Sequence, residues 1–157
     1  MQRTTIGLAL ALAGAITAVN LSTAHAQEQY DASSRGTRLL EGGNGFAIKM
    51  LVERSNLGGG EVEIGEITFP VGSGQSRRGH VHGTVEIFYV LSGELDHIVN
   101  DESHILTPGM VGIVRTGDSV VHRVVGDEPV KALVIWAPGG EIDGIARNLR
   151  ETPIERN

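Results

Sequence analysis

The sequence predicts an all-β barrel or sandwich. Two observations carry this, and a third adds a helix. Apolar and polar residues alternate in short runs of strand length, as at Phe46, Ile48, Met50 and Val52. Turns rich in glycine and proline separate such runs at regular spacing, as at Pro108-Gly109 and Thr116-Gly117-Asp118. Apolar residues at helical spacing after the last run, Ile142, Ile145, Ala146 and Leu149, predict one short amphipathic helix packed on the barrel exterior.

The chain divides in order. Met1-Gln2-Arg3 is a short positive start, Ile6 to Val19 is apolar, and Ala24-His25-Ala26 is a small-x-small pattern. This is the layout of a secretory signal peptide over residues 1–26, with a periplasmic or secreted destination and no membrane contact after cleavage. Residues 27–44 read as a flexible lead-in with one short strand at Thr37–Glu41. Residues 45–140 carry the barrel. A strand is expected over Phe46–Val52, then a turn at Asn56–Gly60. The next apolar set runs through Glu61–Ile64 and changes phase to Ile67, Phe69 and Val71, with a β-bulge expected at Gly65. Later strands are expected at Glu86–Leu91, Glu94–Val99, His104–Thr107, Met110–Val114 and Val120–Val125. Val130 to Trp136 is nearly continuously apolar, as for a strand buried on both faces. Residues 141–157 read as the helix and a tail.

The length of 157 residues suits one domain. A net charge of −6 gives no electrostatic footprint for nucleic acid. The absence of cysteine excludes a thiolate metal site and a cysteine nucleophile.

The chemistry-bearing stretch is Gly74 to Gly93. His80 and His82 share one strand face, with Cβ atoms roughly 7 Å apart, close enough for two imidazoles to reach one ion. In a straight strand Glu86 would lie about 13 Å beyond His82. A turn at Gly83-Thr84 brings it back. Phe88 and Val90 share the parity of Glu86 and should line the interior. Tyr89 has the opposite parity and is expected to pack against the other layer, and Trp136 to be core. His97 and His104 flank a hairpin turn and are expected to be exposed, the lesser alternative being that one of them reaches the site. Arg77-Arg78 is the arginine pair near these ligands, either a solvated loop or a clamp for a substrate carboxylate.

These residues resemble the first motif of the cupin superfamily, G-x5-H-x-H-x3-E-x6-G, at Gly74, His80, His82, Glu86 and Gly93. The second cupin motif supplies a third histidine, and His122 is the candidate. Here Arg115 stands where proline is usual, and Gly126 replaces an asparagine. Four residues, rather than two, separate Gly117 from His122. The resemblance implies a jelly-roll (double-stranded β-helix) fold. It also implies one divalent transition metal (Mn, Fe, Ni, Cu, Co or Zn) on His80, His82, Glu86 and His122, with one or two positions open. It points to a metal-dependent enzyme on a small organic substrate, with dioxygenase-type chemistry first and Glu86 either a ligand that also moves protons or a purely structural ligand. Arg77, Arg78 and Phe88 are the candidate substrate contacts. The alternatives are a cupin lyase, isomerase or decarboxylase, or a non-catalytic small-molecule or metal-binding cupin. Small cupins commonly form homodimers, and the helix or the lead-in could mediate that contact.

Overall fold

A computed structural model describes residues 35–76 and 78–155. The expected signal peptide, residues 27–34 of the lead-in and Arg77 lie outside the described residues. Two antiparallel sheets face each other. The strands are β1 (Arg38–Glu41), β2 (Ala47–Val52), β3 (Glu63–Phe69), β4 (His80–Val81), β5 (Val85–Ser92) and β6 (Glu94–Val99), then β7 (Glu102–Leu106), β8 (Val111–Val114), β9 (Ser119–Val125), β10 (Val130–Ala137) and β11 (Arg150–Pro153). The larger sheet runs β11-β1-β2-β3-β10-β5-β8 and the smaller β4-β9-β6-β7. This is the all-β jelly roll that the periodicity and the turns predict.

Period-two alternation assigns the faces. On β3 the buried positions are Glu63, Gly65, Ile67 and Phe69, and on β9 they are Val120, His122 and Val124. Phe88, Val90, Val134 and Trp136 from the larger sheet and Leu95, Leu106 and Val124 from the smaller meet in one core. Each fully buried side chain of this kind stabilises the fold by about 1.5–3 kcal/mol relative to exposure. Tight turns join neighbouring strands. Asn100 and Asp101 both adopt positive φ (50° and 68°) between β6 and β7, as a two-residue hairpin loop requires.

Several expectations are corrected. The chain at Asn56–Gly60 is not a plain turn. Arg54–Leu57 forms a single helical turn, α1, whose start is closed by reciprocal Glu53–Asn56 bonds and whose end is closed by Gly58 in the left-handed region. Gly65 carries no bulge. β3 alternates without a break, and the register shift falls opposite it on β2, between Met50 and Val52. Gly65 instead lets β2 approach, because a Cβ there would lie 3.0 Å from Ile48 Cγ2. β10 is not buried on both faces: Lys131 is exposed and Leu133 and Ile135 are half-buried on its outer side. Its continuous apolar run reflects its place between β3 and β5.

The C-terminal segment differs most. α2 (Ile142–Ala146) packs on the barrel through one face and leaves Asp143 and Gly144 exposed, but it reaches further in than expected. Ile142 is fully buried in the core, and Ile145, Ala146 and Leu149 pack against it. The chain then forms β11, which pairs with β1 at the edge of the larger sheet, where only a tail was expected.

Candidate metal centre

β4 is short because the chain must turn at Gly83-Thr84. His80 opens β4, His82 follows it, and after the turn the chain crosses to the larger sheet as β5, with Glu86 as its second residue, so β4 and β5 do not pair as a hairpin. Glu86 is 2% exposed and His82 6%. His122 sits in the middle of β9, flanked by buried Val120 and Val124, as parity predicts. Gly74 has φ of 77° and lies against the His122 backbone, where a Cβ would overlap the His122 carbonyl oxygen. Gly93 turns β5 into β6 with φ of 76°, and a Cβ there would lie 2.6 Å from the Pro129 carbonyl oxygen. Both glycines are therefore required by close backbone approach as well as by conformation.

Three of the four expected ligands, His80, His82 and His122, come together in one set, and Glu86 falls in an overlapping set with His122 and His97, which was not among the expected ligands. One donor atom each from His80, His82 and His122 lie within 4.8 Å of one another. Glu86 stands beside two of these histidines. Its Oε2 is 3.1 Å from His82 Nε2 and its Oε1 is 3.2 Å from His122 Nε2. Yet buried His82 Nε2 and Glu86 Oε1 make no hydrogen bond, since the atoms are close but not aligned for one. Two ligand atoms each about 2.1 Å from an ion and roughly at right angles would be about 3 Å apart. The spacing and the unpaired atoms fit a divalent ion between these side chains.

Neighbours orient the donors. Trp136, opposite Glu86 in the β10–β5 register, donates its indole N–H to Glu86 Oε2 at 2.8 Å. Trp136 was expected as core alone; it is 1% exposed and also holds the carboxylate. Glu141, at the start of α2, accepts from the Gly83 backbone N–H at 2.7 Å and stands 3.4 Å from His82 Nδ1. A carboxylate on Nδ1 leaves Nε2 free to face an ion. Burial pushes the His82 imidazole down, but the Glu86 and Glu141 carboxylates outweigh it and hold it above the ordinary histidine value. Burial raises the Glu86 carboxyl, and the adjacent His122 and His82 outweigh this, holding it well below the usual carboxylate range.

His97 corrects the expectation of an exposed residue. It is 1% exposed, pairs across the sheet with His122, and stacks on its ring at 5.3 Å between centroids. Burial and the neighbouring His122 lower its pKa to about 4, so the ring stays neutral. Its parity with Leu95 on β6 was the signal available in the sequence. His104 is exposed, as expected. Tyr89 does not pack against another layer. It is 40% exposed on the outer face of β5. Glu141 had no local signal, because its role depends on where α2 docks.

The donors form the floor of a cavity of about 380 Å³. Its walls are mainly apolar, including Phe46, Ile67, Phe69, Phe88 and Ile145, and Arg78 stands on the exposed side of the lining.

Comparison with known proteins agrees with this architecture. The cupin domain family model matches residues 58–136, half of the chain. Comparison with curated proteins gives no match. Among solved structures, the protein TT1209 from Thermus thermophilus is 25% identical over 60% of this chain and 85% of its own, with a TM-score of 0.51. A predicted oxalate decarboxylase from Thermotoga maritima is 21% identical over 59% of this chain and 80% of its own, at 0.53. KdgF from Halomonas sp. is 15% identical over 67% and 91%, at 0.55. With the family match spanning both β-strand motifs and the histidines and glutamate gathered inside the barrel, the chain belongs to the cupin family.

Proposed function

We propose that this chain is an exported, metal-dependent cupin enzyme acting on a small organic molecule, with dioxygenase-type chemistry as the first reading. The observation that carries it is a cavity large enough for a small molecule standing over buried, unpaired donor atoms. A site serving only to hold an ion would need no such space. A divalent ion bound there would act as a Lewis acid and leave a position for substrate or dioxygen.

The residues of the chain supply the rest. Phe69 and Phe88 form a dry wall that favours an apolar substrate body. Arg78 offers a guanidinium at the mouth for a carboxylate. Glu86 is the proton-moving candidate, because its carboxylate meets both the cavity and the two histidines. Trp136 keeps Oε2 oriented.

The test is metal analysis of the chain from its native compartment, followed by oxygen uptake with a panel of small carboxylic acids. About one equivalent of a first-row metal is expected. His82→Ala should weaken metal binding by tenfold or more, since even the loss of an orienting neighbour costs 10–100-fold. No retained metal, or a His80→Ala, His82→Ala double variant binding as tightly as wild type, would overturn the reading. Metal-dependent turnover without oxygen uptake would move the assignment to the lyase, isomerase or decarboxylase alternatives.

A further inference from the structure

The described residues hold a second set of donors deeper in the barrel. Glu86, His97 and His122 each offer one atom within 4.8 Å of the others, and all three side chains are buried. Each also carries one buried polar atom with no hydrogen-bond partner: Glu86 Oε1, His97 Nε2 and His122 Nδ1. Buried polar atoms are nearly always paired. His122 meets Glu86 Oε1 through Nε2 at 3.2 Å, and the unpaired Oε1 and His97 Nε2 mark the place of an absent partner between these side chains.

Charge points to a cation as that partner. Glu86 is 2% exposed beside an apolar wall, and the Trp136 N–H serves only Oε2. A buried carboxylate calls for a compensating positive charge. Shape agrees as well. His97 reaches the interior because residue 112 on β8 is glycine, where a Cβ would lie 2.7 Å from His97 Nδ1. Gly112 faces Phe88 in the β5–β8 register, so the same glycine leaves space beside the cluster.

We propose that Glu86, His97 and His122 form an inner position for a divalent transition cation, in addition to the outer set of His80, His82 and His122. The inner position rests on the reading that this barrel binds such an ion at all. The two sets share His122. A set of two imidazoles and one carboxylate suits Co, Ni, Cu or Zn.

The test is a titration of the full-length chain with cobalt(II), read by visible absorption and by competition with a chelator. His80→Ala, His82→Ala should still bind cobalt, at least about tenfold more weakly than wild type. Adding His97→Gln to that double variant should abolish the residual binding. In the wild-type background, His97→Gln should change the cobalt spectrum. His97→Phe, which fills the place without a donor, is the second variant should glutamine impair folding. The inner position is overturned when wild type binds cobalt but the double variant binds none. It is equally overturned when His97 variants leave spectrum and affinity unchanged. A wild-type chain that takes up no cobalt removes the outer reading as well.

Discussion

At the scale of single residues, two side chains give separable expectations. Arg78 lines the cavity from its exposed side. A clamp on a substrate carboxylate holds ground and transition states alike, so Arg78→Ala should raise KM several-fold and leave kcat within about twofold. Steady-state kinetics on the identified substrate checks this, and an unchanged KM returns Arg78 to a solvated loop. Asp96 is a different case. It is 2% exposed on β6, accepts from Ser103 at 2.6 Å and pairs with Arg123. Burial raises its carboxyl, but the Ser103 hydroxyl and the Arg123 guanidinium outweigh this and lower it. An acid depressed in the folded state contributes stability above its unfolded pKa, and that contribution fades as pH falls through the folded value. Thermal melts should therefore fall from pH 6 toward pH 3 more steeply for wild type than for Asp96→Asn. At pH 7 the variant should be about 2 kcal/mol less stable, the scale of hydrogen bonds to a charged group. Parallel melting curves would refute the assignment.

At the scale of elements, α2 reaches the metal centre through Glu141 at its start and lines the cavity with Ile145. Ile142 anchors it in the core, and the Ile142 backbone N–H donates to Glu63 on β3 at 3.1 Å. That docking sets Glu141 against the Gly83 turn and His82. Glu141→Ala should weaken zinc by 10–100-fold in a competition titration. Glu141→Gln keeps an acceptor for the Gly83 N–H and should restore part of the affinity. An Ala variant with wild-type zinc affinity would reduce Glu141 to a surface cap. The apolar periodicity of Ile142, Ile145, Ala146 and Leu149 was legible in the sequence. Its partner was not, since a helix pattern states that a face is buried and not what buries it.

At the scale of the whole molecule, that helix is already used. Ile142 is buried in its own barrel, which leaves it no part in a dimer contact. The outer faces of β5 and β8 are the better candidates. Tyr89 pairs with Val111 and Ile87 with Ile113, and Tyr89, Val111 and Ile113 are 40%, 52% and 51% exposed. A homodimer through this face would have twice the chain mass by light scattering, and Val111→Lys with Ile113→Lys should return the monomer mass. A wild-type monomer at all concentrations rejects the dimer. Export is a separate expectation. N-terminal sequencing of the chain recovered from periplasm or medium should begin at Gln27, and a start at Met1 rejects cleavage.

The sequence by itself determined the strands, the turns and the shared face of His80 and His82. These follow from local rules: alternation with period two, and glycine where φ must be positive. The cupin motif added Glu86 and His122, whose positions at the β4–β5 turn and on β9 bring them to the same interior. Only the tertiary structure decided which further residues meet them. His97 reaches His122 through the register of β6 on β9, Trp136 reaches Glu86 through that of β10 on β5, and Glu141 reaches His82 through the docking of α2. The strand β11, paired with β1 across more than a hundred residues of chain, belongs to the same class. Each is a contact between segments far apart in sequence, chosen by pairing register and core packing, and periodicity within one segment carries no record of its partner.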